Sequence, residues 1–417
     1  MSPARSYLVV TASYWGFTLT DGALRMLVLL HFFRLGYSPF TLAFLFLLYE
    51  TAGIFANLGG GWLVSRFGIS RMVGVGLGLQ ILGLLLLSFL DTTWSAAGSV
   101  AWVVMAQGIA GIAKDLTKTA SKSAIKVTAA DGNGQLFRWV AWLTGSKNAM
   151  KGVGFFIGGL LLDTAGFQSA LWLMAGLLGV ILIAGAIALP VELGRAGASK
   201  NLQELFSKSA GVNVLAAARV FMFGARDVWF VVGLPVFLYT QDWSFSAVGG
   251  FLAVWTIAYG GIQALAPGLV RRSADGLSRE VMAARLWALL LTAIPVVLAL
   301  AVAAEELLQI DIIIVVVSGL ALFGVPFAVN SSLHSYLILA YAGSRKAAED
   351  VGFYYAANAT GRLMGTLLSG MLCQVGGLVA CLAGSAVMLG ICSAITFFLP
   401  AQAQVEAPLN LGQGRGK

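Results

Sequence analysis

An all-α membrane protein, with twelve transmembrane helices in two pseudo-symmetric halves of six, is the fold class this sequence predicts, and three observations carry it. Hydrophobic residues make up 59% of the 417 positions and charged residues only 11%, with a mean hydropathy of +0.88, far from the half-apolar, quarter-charged mix of a soluble domain. The apolar residues fall into runs of about 20, the length that crosses a bilayer as a helix. The runs divide six and six about the longest polar stretch, Pro190 to Val212, and the two sets resemble one another.

The spans lie near 7–33, 39–64, 72–90, 97–120, 135–162, 168–189, 213–239, 246–270, 281–304, 308–339, 348–374 and 377–399. The first follows Arg5 but contains Asp21 and Arg25 and lacks a small-x-small cleavage site, so it reads as a retained helix and not as a signal peptide. Connections on one side hold Arg66, Arg71, Arg195, Lys200, Lys208, Arg271, Arg272, Arg279, Arg345 and Lys346; those on the other hold Arg34 beside Asp91, Asp163, Asp242, Glu305, Glu306 and Asp311. Basic residues remain on the cytoplasmic side, so both termini are expected in the cytoplasm of a multi-pass inner-membrane protein. The organisation is then a first half at 1–189, a cytoplasmic linker at 190–212, a second half at 213–400 and a tail at 401–417.

The internal repeat is weak but falls on rare residues. At an offset of 206, Asp21 meets Asp227, Ser38 meets Ser244 and Arg66 meets Arg272; at 211, Lys151 meets Arg362, Gly154 meets Gly365, Gly159 meets Gly370 and Gly166 meets Gly377. The net charge of +8 is explained by loop lysines and arginines, which excludes nucleic acid as a partner. Cys373, Cys381 and Cys392 form no CxxC pair and the chain has two histidines, His31 and His334, so neither a metal nor another cofactor is expected, and the thiols read as inert.

Function is expected where ionisable residues interrupt the apolar spans, because each costs roughly 2.5–3.5 kcal/mol or more at a helix centre and so faces a cavity, partner or substrate. In the first span Asp21 and Arg25 are one turn apart, either as a neutralised pair or as an arginine held by an acid that also protonates. Glu50 stands mid-span in the second, a candidate for proton coupling or for an ion pair with Arg25 or a fifth-span lysine. The fourth carries Lys114, Lys118, Lys122 and Lys126 at four-residue intervals with Asp115 among them: Lys114 and Lys118 suit an anion ramp, Lys122 and Lys126 the membrane interface. The fifth carries Lys147, Asn148 and Lys151, the seventh Arg226 and Asp227, and the eleventh Arg362. Adjacent residues differ by about 100° on a helix, so Arg226 and Asp227 are expected to point apart. Arg25 and Arg226 are the leading ligands by resemblance to the organophosphate antiporters, which bring one arginine from each of the first and seventh spans; a guanidinium binds a phosphate-type group through paired hydrogen bonds and keeps its charge. Asp21, Glu50, Asp115 and Asp227 are left for coupling or charge pairing.

The connection Gly61 to Arg71 is similar to the G-x-x-x-D-R-x-G-R-R gating motif of major facilitator transporters: Gly61, Arg66, Gly68 and Arg71 fit, and Ser65 replaces the usual acid. That superfamily has two six-helix halves related by an axis along the membrane normal and a substrate site between them. More specifically, the blocks Tyr14 to Met26, Gly111 to Lys118, Gly145 to Gly154 and Gly224 to Phe230 resemble those of ArsJ-type organoarsenical efflux permeases, along most of the chain. The resemblance implies arsenate resistance by export of 1-arseno-3-phosphoglycerate, which a glyceraldehyde-3-phosphate dehydrogenase supplies without direct contact being implied. It also implies a transporter and not an enzyme, expected to act as a monomer in the lipid bilayer. An organophosphate or other organic-anion carrier of the same fold is the alternative; a proton-coupled drug exporter is a second, less suited to a basic cavity.

Overall fold

The computed structural model describes residues 3–91, 93–128, 135–190, 193, 209–270, 273, 275, 277–309, 311–342 and 347–401. The first half comprises α1 (Pro3–Arg34), α2 (Pro39–Phe44), α3 (Leu47–Phe67), α4 (Ile69–Ser88), α5 (Ala96–Thr128), α6 (Gln135–Thr164) and α7 (Phe167–Ala188). The second comprises α8 (Ala210–Val228), a π-helical turn (Trp229–Gly233), α9 (Leu234–Thr240), α10 (Phe245–Leu269), α11 (Ser278–Ala303), α12 (Glu305–Leu308), α13 (Ile312–Tyr341) and α14 (Ala347–Thr396). The short α2 and α3 together make the second span, and α8, the π turn and α9 make the seventh. α14 is two helices broken at Gly376 and Gly377, where the backbone leaves helical geometry.

Ten segments among the described residues have the length and apolar character of a membrane span, one of them the broken pair at 350–396. The remaining crossing is α6, whose Lys147, Asn148 and Lys151 interrupt an otherwise apolar helix. Several boundaries follow from local chemistry. Ser38 and Ser244, matched in the repeat, cap the second span of each half: Ser38 Oγ accepts from Thr41 N at 3.3 Å and Ser244 Oγ from Ala247 N at 3.2 Å. Gly166 and Gly377, also matched, take φ of +79° and +59° in the turns before α7 and the second part of α14, a region glycine enters without a Cβ clash. α8 begins at Ala210 behind the capping Ser209, three residues before the expected start of the second half at 213.

Small residues bring the helices together, since lipid tails compete with apolar side chains and close packing decides association. A methyl group on Gly154 would lie 3.1 Å from Ala23 N, and one on Gly365 2.9 Å from Asp227 Cβ, so α6 sits on α1 as α14 sits on α8. The halves meet in the same paired way. A methyl on Gly370 of α14 would lie 3.0 Å from Phe40 Cα, and one on Gly159 of α6 3.2 Å from Ser246 Cα. Phe40 N donates to Gln374 Oε1 at 3.2 Å, and Ser246 N to Asp163 Oδ2 at 2.8 Å. Gly249 backs onto Phe155 and Phe156, and Phe33 meets Tyr239 edge to face at 5.6 Å. These contacts close one face of the molecule, the face of the turns at 35–38 and 241–244. α1 and the seventh span are 78% buried over their most apolar windows and α11 22%, which makes α1 and α8 central and α11 lipid-facing.

Candidate functional site

Between the halves lie two adjoining chambers, of about 190 and 130 Å³. They run from mid-depth, at Arg25, Asp227 and Trp255, towards the helix ends near the 129–134 and 343–346 connections, where Lys122, Ser335 and Tyr355 stand. Arg25, Lys147, Asn148, Lys151, Arg226, Asp227 and Arg362 line the larger chamber. Asp21, Glu50, Lys114, Asp115 and Lys118 line the smaller, which Lys147, Lys151 and Arg362 share. The chain thus gathers every mid-span charge singled out from sequence into one place. Lys122, expected at the interface, also lines both chambers, with Nζ 4.2 Å above the Tyr355 ring; Lys126 has no described side chain. Of the gating residues, Gly61 lies in α3, Arg66 and Arg71 are exposed around the turn at Gly68, and Arg66, Gly68 and Arg71 do not line a chamber.

The pairing of charges meets expectation where Glu50 pairs with Arg25 and differs from it elsewhere. Arg25 does not pair with Asp21 one turn away; Arg25 Nη1 donates to Glu50 Oε1 at 3.0 Å, and Asp21 Oδ1 accepts from Tyr49 OH at 2.5 Å. Glu50 also accepts from Arg362 Nη2 at 2.7 Å, and Lys114 Nζ lies 3.8 Å from Oε2. Its carboxylate therefore serves three cations from α1, α5 and α14. Arg226 and Asp227 do not point apart. The arginine folds back so that Nε donates to Asp227 Oδ1 at 2.7 Å, with Nη2 on the same oxygen, while Arg362 Nε reaches Oδ2 at 3.3 Å. A long flexible side chain overrides the 100° step. Arg362 thus spans Glu50 in the first half and Asp227 in the second. In α5, Asp115 Oδ1 accepts from Lys118 Nζ at 2.5 Å and Oδ2 lies 3.6 Å from Lys114 Nζ; Lys118 also donates to Asn57 Oδ1 at 2.8 Å.

Two of the expected residues remain without a counter-charge: among the described residues neither Lys147 nor Lys151 has a carboxylate within 4.0 Å. The repeat explains the difference between Lys151 and its counterpart Arg362. Arg362 faces Glu50, and at the offset of 206 the residue equivalent to Glu50 is Thr256, which lines the larger chamber with its hydroxyl unpaired among the described residues. Pseudo-symmetry is broken by the loss of one acid, and the charge left over points into the cavity.

Sequence reasoning overlooked Arg219, which also lines the larger chamber. It stands two helical turns before Arg226 on α8, the same face, and that spacing within an apolar span was the signal. The neutral polar residues Tyr14, Tyr259, Gln263, Ser331 and Asn358 complete the wall and carry no signal in one sequence. Aromatic rings form the rest: Trp255 stacks on Tyr259 at 5.8 Å and tilts against Phe230 at 5.2 Å, its indole held by Leu320 O at 2.7 Å. The two chambers together present nine cationic side chains and four carboxylates, an excess of five. Among the described residues no group of histidine, cysteine and acidic side chains is arranged to hold a metal. Cys381 and Cys392 are buried and Cys373 is partly buried, all as free thiols that line neither chamber.

The family model described as Major Facilitator Superfamily matches residues 7–348. This chain belongs to the major facilitator superfamily. The crystal structure of a mutant of the nucleoside transporter NupG superimposes on it with a TM-score of 0.69, at 14% identity, covering 95% of this chain and 98% of the other. At that identity the likeness shows the fold alone. No curated protein sequence matches. Membership makes this a multi-pass membrane transporter of the superfamily's twelve-helix, two-half architecture, and puts the charged chambers between the halves, where the superfamily's substrates bind.

Proposed function

We propose that this chain is an inner-membrane efflux transporter that carries a small organic anion outward by alternating access, and that the anion is 1-arseno-3-phosphoglycerate. The observation that carries the class of substrate is the five-charge cationic excess of the chambers, with Lys147 and Lys151 lacking carboxylate partners among the described residues. Like charges one helical turn apart, as at Lys147 and Lys151, repel one another. An anion between them converts that repulsion into attraction. A cationic drug meets the opposite field, and the drug-exporter reading loses its support there.

The identity of the anion rests on the blocks that resemble the ArsJ-type permeases, and the cavity's chemistry is compatible with it. A glyceraldehyde-3-phosphate dehydrogenase that uses arsenate in place of phosphate supplies the substrate. With both termini in the cytoplasm, the closed face at 35–38 and 241–244 is the outer one, and the chambers extend towards the cytosol, as an exporter awaiting its load requires. Substrate oxygens then draw Lys147 and Lys151 inward and compete for Arg362, loosening its hold on Glu50 across the halves.

The test is intracellular arsenic and arsenate tolerance in cells expressing this chain with and without the dehydrogenase. Tolerance that needs both proteins, with less arsenic retained, supports the proposal. Unchanged arsenic in both cases refutes the arsenical and leaves the organophosphate carrier, to be sought by uptake of phosphorylated metabolites into vesicles.

A further inference from the structure

We infer that Arg219 forms a second anion pole of the cavity, distinct from the Lys147 and Lys151 pole, so that the site takes a molecule with an anionic group at each end. The inference rests on the anion-transport reading and narrows its substrate class. Arg219 is only 5% exposed. Its Nε donates to Asn358 Oδ1 at 2.9 Å, and its Nη1 to Ser331 O and Oγ at 3.3 and 3.2 Å. The guanidinium lies 3.9 Å from the centre of the Phe223 ring. Among the described residues it has no carboxylate within 4.0 Å, and Nη2 makes no hydrogen bond to any of them. Arg25 and Arg226, which aromatic faces cover as they do Arg219, are each bound to a carboxylate. A buried charge with neutral partners only is costly unless something else supplies the opposite charge.

The hydrogen bonds around Arg219 point to what is missing. Ser331 Oγ is approached by three donors, Arg219 Nη1 at 3.2 Å, Gln263 Nε2 at 3.2 Å and Tyr259 OH at 3.3 Å. A hydroxyl oxygen has two acceptor lone pairs. The cluster is therefore rich in donors and short of acceptors, which a carboxylate or phosphate-type group corrects with its own oxygens. Gln263 Oε1 accepts from Asn148 Nδ2 at 3.3 Å, so a chain of side chains leads from the lysine-bearing helix of one half to Arg219 in the other. One anionic end at each terminus of that chain engages both halves at once.

The probes are 3-phosphoglycerate, with a phosphate and a carboxylate at opposite ends, and glycerol 3-phosphate, which has the phosphate alone. Binding to the purified full chain is measured at fixed low salt, because screening weakens such contacts. Wild type is expected to prefer 3-phosphoglycerate by about 10–100-fold, the worth of a hydrogen-bonded charge. Arg219→Gln removes that preference, bringing the two probes within about 3-fold while glycerol 3-phosphate changes by less than about 3-fold, and Arg219→Lys restores part of it. Lys151→Gln weakens both probes together. If Arg219→Gln lowers both by one factor, or leaves the preference intact, Arg219 is not a second pole and the anion reading stands. If wild type binds neither probe, the anion reading itself fails and the second pole with it.

Discussion

Replacing Arg362 by methionine cuts the link that crosses from Glu50 on α3 to Asp227 on α8. The bond of 2.7 Å to Glu50 lies in the charge-assisted range and is worth about 1.5–3 kcal/mol. The bond of 3.3 Å to Asp227 is longer and lies within the second half, so it adds to stability without bearing on how the halves sit. Neither acid is stranded by the change: Glu50 keeps Arg25 at 3.0 Å and Asp227 keeps Arg226. The loss that favours separation of the halves is therefore about 2 kcal/mol, a shift of about 30-fold in the balance between this conformation and one open on the other face. A single cysteine at Ala43, buried against Gly370 on the closed face, reports that balance through its rate of maleimide labelling in a background lacking the three native cysteines. Arg362→Met is expected to raise the rate by about 30-fold. Arg25→Met removes a bond within the first half and is expected to change it by less than about 3-fold. Equal rates in Arg362→Met and wild type, or equal increases in both variants, would refute the cross-half clasp.

Further outcomes follow from the same geometry. Lys151→Ala should cut transport of an anionic substrate by about 10–100-fold without lowering the melting temperature, because no described carboxylate is left unpaired; a drop in Tm would show a structural role. Thr256→Glu restores the acid that pseudo-symmetry lacks and should reduce anion binding by at least about 10-fold, an effect that Lys151→Ala in the same chain should largely erase; unaltered binding in the single variant would contradict the argument. Gly249→Val sets side-chain atoms against the backbone at Phe155 and Phe156 on the closed face; at about 1–3 kcal/mol of overpacking it should speed labelling at Ala43, and slower labelling would be inconsistent. If a carboxylate couples export to protons, Asp21 is favoured over Glu50, since Tyr49 is its one hydrogen-bond partner among the described residues. Asp21→Asn should then make export in vesicles indifferent to a collapsed pH gradient, and wild-type export that already ignores the gradient disposes of coupling.

Much of the fold was legible because a bilayer imposes a length and a polarity that a sequence displays directly. The repeat was legible where it fell on residues whose role is purely local, as Ser38 and Ser244 cap helices and Gly166 and Gly377 turn the chain through positive φ. That the charges at 21–25, 114–118, 147–151, 226–227 and 362 would share a cavity was legible from the cost of placing them in lipid. Their pairing was legible only in part: the pair of Glu50 with Arg25 was among the options, its second bond to Arg362 was not. Glu50 binds Arg25 and Arg362, which are 25 and 312 positions away, and no local periodicity reports which of several cations on other helices arrives first. The neighbour at i+4 and the 100° step misled for the same reason, since long side chains reach past their own helix. Arg219 was hidden behind the more conspicuous doublet at Arg226 and Asp227, although its place two turns earlier on an apolar helix follows the same logic.

The surplus of positive charge between the halves also has an electrical consequence. A charge carried through the full depth of a membrane gains or loses about 2.3 kcal/mol per 100 mV. In the proposed orientation, with the cytoplasm negative, the empty carrier, whose chambers hold five more cations than carboxylates, is drawn to the arrangement that opens inward. A multiply charged anion cancels much of that surplus, so the loaded carrier turns outward with little hindrance from the field. If the cargo is an anion exported as proposed, the voltage then resets the emptied protein and each turnover moves net negative charge out of the cell.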